Sequence, residues 1–107
     1  MPVALQLITD QMTYSFDDFH ACLEQDFTLN TGSGDTVTLS LISVEKNPHS
    51  ESIDGREVFS VLFRGPADLV LPQQTYALNN RDMGELALFI VPIGPDEQGM
   101  CYEAVFT

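Results

Sequence analysis

Apolar residues are densest in the last quarter of the chain, from Gly84 to Thr107. Two apolar runs, Glu85–Ile93 and Met100–Phe106, flank a polar stretch with glycine and proline at its edges. Such edges are typical of turns, and the flanking runs are rich in β-branched and aromatic residues. The pattern predicts a β-hairpin. Its first strand, around Leu86–Val91, is apolar on both faces, so we expect it in mid-sheet with something covering each side.

Four earlier segments also have the character of β-strands, with alternating or continuous apolar positions: Gln25–Asn30, Thr36–Val44, Arg56–Gly65 and Thr75–Leu78. In the second of them the apolar positions change parity after Leu41. A bulge or bend there would return Ile42 and Val44 to the core. Polar stretches rich in glycine, proline and asparagine separate the segments, which favours a meander of antiparallel strands.

One helix is predicted, from Ser15 to about Leu23. Ser15 suits the N-cap, and Asp17 and Asp18 fall in the first turn, where carboxylates are favourable against the helix dipole. Phe16, Phe19 and Leu23 share one face. Such a helix would plug one open end or face of the sheet.

The fold class that follows is mainly β: a small antiparallel barrel or sandwich of about six or seven strands with one short N-terminal helix. We divide the chain into an N-terminal strand or docking tail, 1–14, and a single β-domain, 15–107. Val3–Ile8 is the strand-like part of the tail. The predicted core consists of Phe16, Phe19, Leu39, Leu41, Phe59, Val61, Phe63, Leu88, Phe89, Ile90, Val105 and Phe106.

Charge narrows the choice of partners. Sixteen acidic residues against four basic ones give a net charge of −12. This charge disfavours nucleic acid and anionic membrane surfaces, and no apolar run is long enough to cross a bilayer. The classes of partner that remain are another protein and further copies of the chain itself in a homo-oligomer. We see no export signal, so we expect a cytoplasmic protein whose cysteines, Cys22 and Cys101, are free thiols.

Few residues suggest chemistry. His20, Cys22, His49 and Cys101 lack the paired spacing of a structural zinc site, so we predict no metal. His20 and Cys22 stand about 200° apart on a helix and cannot form a nucleophile–base pair there. We therefore expect neither catalytic residues nor a cofactor, and predict that the protein is not an enzyme.

Arg64 is the most informative polar residue, because it follows an apolar strand and precedes a Gly-Pro turn. We predict a structural ion pair with Glu103 or Glu85 across the sheet. The alternative is that Arg64 contacts an anionic group of a ligand.

Several segments resemble a family of short, uncharacterised bacterial proteins: Phe59–Pro66 (FSVLFRGP), Leu71–Leu78 (LPQQTYAL), Met83–Gly94 (MGELALFIVPIG) and Tyr102–Phe106 (YEAVF). Phe16–Leu29 resembles the opening of that family more weakly. Members tend to be encoded near phage-tail-like or collar-domain proteins, so the resemblance implies a structural or accessory role. It supplies no catalytic residues.

The leading hypothesis is thus a non-catalytic structural or protein-binding accessory module, and the resemblance implies that it serves a phage-tail-like assembly. We expect Met100–Thr107 and Gln25–Asn30 to be open sheet edges that a partner could extend. A small-ligand barrel using Arg64 is the alternative. A hydrolase or isomerase using acidic residues is a third hypothesis, which the sequence supports least.

Overall fold

A computed structural model describes residues 14–31, 34–46 and 58–106 of the chain. The elements are helix α1 (Phe16–His20) and strands β1 (Asp26–Asn30), β2 (Thr36–Lys46), β3 (Phe59–Gly65), β4 (Gln74–Asn80), β5 (Gly84–Pro95) and β6 (Met100–Phe106). The predicted N-terminal strand or tail and His49 lie outside the described residues. No helix in the described part of the chain is long and apolar enough to span a membrane.

The six strands form a closed barrel in the order β1-β2-β3-β6-β5-β4, and every neighbouring pair is antiparallel. The predicted class is confirmed, and of its two forms the barrel is the one present. The prediction of open edges was wrong. β6 lies between β3 and β5, and β1 lies between β2 and β4, because closure gives each strand two neighbours.

Bulges bend the two longest strands. In β2 the register with β3 shifts between Leu41 and Ser43, at the predicted change of parity. In β5 the register with β6 shifts between Pro92 and Gly94, and Gly94 has a φ of 117°. β5 pairs with β4 up to Ile90 and with β6 beyond it, so different parts of this strand pair with its two neighbours. Such bends let a short sheet curl into a barrel.

Alternate residues fill the barrel interior. Phe63, Leu88 and Tyr102 are fully buried, each with its neighbours in the strand more exposed. Two predicted core residues are on the outside instead: Phe89 is 42% exposed and Val105 is 54% exposed. The expectation that β5 is covered on both faces was therefore wrong. A closed barrel has a single interior, and among the described residues no layer covers the outer face of β5.

Helix α1 packs against the aromatic residues at one end of the barrel. Ser15 is its N-cap, and a capping box joins the Ser15 and Asp18 side chains to each other's backbone N–H. Phe19 is fully buried, with its ring 5.1 Å from that of Phe106, and Phe16 packs against the core while partly exposed.

The helix is shorter than predicted, because it ends at His20. Glu24 has a φ of 68°, and its N–H donates to the Leu41 carbonyl. The chain leaves the helix there to join the sheet.

Residues 66–73 cross from β3 to β4, which are separated in the barrel by β6 and β5. The Leu71 N–H donates to the hydroxyl of the buried Tyr102 (2.9 Å), and that hydroxyl donates to the Leu69 carbonyl (3.3 Å). The Tyr76 hydroxyl donates to the Pro72 carbonyl. This connection is therefore tied to the barrel through two tyrosines.

Candidate functional site

Arg64 lies near the end of β3 on the outer face of the barrel, opposite Cys101 of β6. Its guanidinium is paired with Asp96, which the turn between β5 and β6 contributes. Arg64 Nε lies 2.9 Å from Asp96 Oδ2 and 3.2 Å from Oδ1, and Arg64 Nη2 also donates to Oδ2. Several charge-assisted bonds join these two side chains, which fixes their relative orientation.

The turn holds Asp96 in place from the other side. Asp96 Oδ1 accepts hydrogen bonds from the N–H groups of Gln98 (2.8 Å) and Gly99 (2.9 Å), and the Asp96 N–H donates to the Gly99 carbonyl. The Arg64 guanidinium and these backbone donors hold the pKa of Asp96 well below its usual range. The oxygen atoms of the Asp96 carboxylate therefore accept most of their hydrogen bonds from groups within the protein.

Gly99 allows the turn to approach β3 closely. A Cβ at this position would lie 2.2 Å from the Gly65 carbonyl oxygen, which is closer than real contacts allow. The turn can thus lie against the end of β3 only with glycine here, and this approach brings Asp96 to Arg64.

The predicted partners of Arg64 were wrong. Glu85 lies at the start of β5, opposite Asn79, and Glu103 lies opposite Leu62 of β3 and Val91 of β5. The bulge in β5 and the folded turn deliver Asp96 instead. The sequence does contain a signal for this, because aspartate followed three residues later by glycine is typical of a turn that its own side chain caps.

The two cysteines are buried and free. Burial raises the pKa of the Cys101 thiol, and the nearby Asp96 carboxylate adds to the effect. Burial also raises the pKa of Cys22, whose Sγ lies 3.7 Å from Asn80 Oδ1. Both thiols are therefore protonated at neutral pH and weak as nucleophiles.

The structure does not bring the other candidate ligands together. His20 is exposed and stacks on the Phe16 ring, away from the buried Cys22. Within residues 14–31, 34–46 and 58–106, no three His, Cys, Asp or Glu side chains are grouped so as to hold a metal ion.

Asn80 is a buried polar residue that the sequence did not single out. Its Nδ2 donates to the Asp26 carbonyl (3.0 Å) and to Gln25 Oε1 (3.1 Å), while its Oδ1 accepts from the N–H groups of Asp82 and Met83. With its amide so fully bonded, Asn80 joins the β4–β5 turn to the start of β1. Its role is structural.

Apolar side chains on the outer face of β3, β5 and β6 are the remaining candidate for function. We call Leu62, Phe89, Val91 and Val105, together with Glu45 and Glu103, the outer patch. Beside it a groove of about 260 Å³ is lined by Glu45, Lys46, Val58, Phe59, Ser60, Glu103 and Val105. Phe89 and Val105 are exposed, whereas Leu62 and Val91 are half-buried. Exposed apolar groups of this kind can contact another macromolecule.

Comparison with known families gives a match of unknown function. The sequence profile described as Domain of unknown function (DUF6916) matches residues 14–106. No curated protein and no solved structure matches the sequence significantly. Since the family match covers most of the chain, the protein belongs to the DUF6916 family.

Proposed function

We propose that this member of the DUF6916 family is a non-catalytic protein-binding module. The observation that carries the proposal is the distribution of apolar side chains: they fill the barrel interior, and they also stand exposed on its outer face at Phe89, Ile93 and Val105. Fully buried residues such as Phe27, Phe63 and Tyr102 occupy the space that a small ligand would need inside a barrel this small. The outer surface is therefore the better candidate for binding.

The alternative, a ligand barrel with Arg64 as its anion contact, is less well supported. Arg64 is on the outer face, and its guanidinium already binds the Asp96 carboxylate. An anionic ligand would have to displace a carboxylate that two backbone N–H groups also hold. A role for the pair in holding the β5–β6 turn explains the geometry without a ligand.

A narrower form of the proposal comes from the four motif-bearing segments, which resemble short bacterial proteins encoded near phage-tail-like or collar-domain proteins. In this form the protein is a cytoplasmic accessory of a phage-tail-like assembly and binds one of its subunits or a second copy of itself. A partner surface on the barrel is what such a role requires.

The test uses the full chain with an affinity tag. We expect light scattering to show a homo-oligomer, or capture from the lysate of the source cells to give a stoichiometric complex that weakens as salt increases. A strict monomer that captures nothing at low salt, and that instead gains thermal stability from a small molecule, would overturn the proposal in favour of the ligand barrel.

A further inference from the structure

We infer that the outer patch binds a basic segment of a protein partner, one that carries apolar side chains flanked by lysine or arginine. This inference rests on the proposed function and identifies where the partner binds and what chemistry it presents.

The register of the barrel places the patch residues side by side. Val105 of β6 lies opposite Ser60 of β3, which in turn lies opposite Glu45 of β2. In the adjacent row Glu103 lies between Leu62 of β3 and Val91 of β5. Residues paired in this way have side chains on the same face, about 4.5–5.5 Å apart at Cβ. The two carboxylates thus belong to the same surface as the apolar residues.

Phe89 extends the apolar part of the patch. It precedes Val91 by two residues, so it points to the same outer face of β5. Since β5 and β6 are antiparallel and Val91 lies opposite Glu103, Phe89 lies on the side of Val105. At Phe89, β5 pairs with β4 and no longer with β6. The Phe89 side chain is 42% exposed and that of Val105 is 54% exposed. A partner could cover both side chains at once.

The charge of the patch selects the partner. Among the described residues, neither Glu45 nor Glu103 forms an ion pair. Lys46 has its Nζ 4.9 Å from the centre of the Phe16 ring, at the helix end of the barrel. Glu45 is exposed and Glu103 is half-buried, beside the exposed side chains of Phe89 and Val105 and on a protein of net charge −12. A lysine or arginine from a partner would find an acceptor there, and the field of the whole protein would increase its rate of encounter.

A second copy of the chain fits the patch less well. A symmetric dimer through this face would bring the same patch from both subunits together, and with it the carboxylates of both. Two chains that each carry −12 also repel one another. A cationic partner has neither disadvantage.

The test measures binding of defined peptides to the full chain. The probe is a fluorescently labelled heptapeptide of alternating lysine and leucine. A lysine–serine peptide of the same charge and a glutamate–leucine peptide serve as comparisons. Anisotropy is measured at about 50 mM and about 300 mM NaCl. We expect the lysine–leucine peptide to bind most tightly, and its binding to weaken at the higher salt. Amide shifts in NMR spectra should be confined to the parts of β2, β3, β5 and β6 around the patch.

Matched variants separate the patch from the charge of the rest of the protein. Glu45→Gln combined with Glu103→Gln should weaken binding about fivefold. Asp68→Asn combined with Glu97→Gln, which removes the same charge from exposed positions outside the patch, should change it less than twofold. Val105→Ser should weaken binding, whereas Val70→Ser, at a side chain 60% exposed in the crossing segment, should not. Melting temperatures verify that all four variants fold.

Three results would overturn the inference: equal binding of the lysine–serine peptide, equal losses in patch and control variants, or a dimer that Val105→Ser dissociates. These failures are distinguishable from failure of the proposed function. If the wild type captures a protein partner and Val105→Ser captures it equally well, the binding module stands and only the site is wrong. If the wild type captures nothing, forms no oligomer and binds no peptide, both proposals fall.

Discussion

Phe63 and Phe89 are the same side chain in two strands of one barrel, yet their surroundings are opposite. Phe63 is fully buried, with its ring 5.2 Å from that of Phe27, whereas Phe89 is 42% exposed. β5 is apolar at every position from Leu86 to Ile93, so its sequence does not reveal which parity faces inward. The direction is decided by closure, because only one parity of each strand can point to the barrel axis.

Replacing these two residues should therefore have very different effects. We expect Phe63→Ala to lower the free energy of unfolding by about 3–5 kcal/mol, since it removes a ring from a packed interior and leaves a cavity. Phe89→Ala should cost less than about 1 kcal/mol, because much of that ring already contacts water. Urea denaturation of both variants and the wild type measures the difference. Equal losses would contradict the assignment of the inner face.

Local signals let the sequence predict some elements correctly. Ser15, with Asp17 and Asp18 in the first turn, marked the helix start, and the change of parity after Leu41 marked the bulge in β2. These features depend on neighbouring residues alone. The partner of Arg64 depends on how a bulge and a turn fold back over β3, and the sequence records that only as an aspartate and a glycine, Asp96 and Gly99. That is why Glu103 and Glu85 were predicted as partners instead of Asp96.

The turn between β5 and β6 should lose stability in acid. The pKa of Asp96 is lowered by the fold, so its contribution is fully present above the pKa of an unfolded aspartate, about 3.9, and is lost as the pH falls below that value. We expect the unfolding free energy of the wild type to fall more steeply between about pH 5 and pH 2 than that of Asp96→Asn.

Glu97→Gln is the control for this acid experiment, because it removes a carboxylate from the same turn at an exposed position. The unfolding free energy of this variant should fall with pH as steeply as that of the wild type. Parallel curves for the wild type and Asp96→Asn would show that the pair with Arg64 does not stabilise the fold.

On the scale of the whole molecule, closure changes where binding can take place. Predicted edges at β1 and β6 suggested that a partner strand would extend the sheet through its backbone. Closure removes those edges, since β1 meets β4 and β6 meets β5. Whether a meander closes depends on the stagger of all its strands together. No single segment of the sequence carries that information, and recognition is left to side chains such as Val105 and Glu103.

The contact between β1 and β4 has a consequence for folding. It joins residues as far apart as Thr28 and Asn79, 51 positions along the chain, and it has two residue pairs where β3 and β6 have seven. The side chain of Asn80 adds bonds across the same junction. Pairing over such a separation requires the entropy of a long loop to be lost before any hydrogen bond is gained, and folding slows as such contacts increase.

The same junction should be the first to open in the native state, because few bonds hold it. We expect amide hydrogens shared between β1 and β4 to exchange with solvent faster than those between β3 and β6. Asn80→Ala should accelerate their exchange roughly tenfold further, and uniform exchange around the barrel would contradict this expectation. The junction between β1 and β4 would thus be the last strand contact to form in folding and the first to open in fluctuations of the native state.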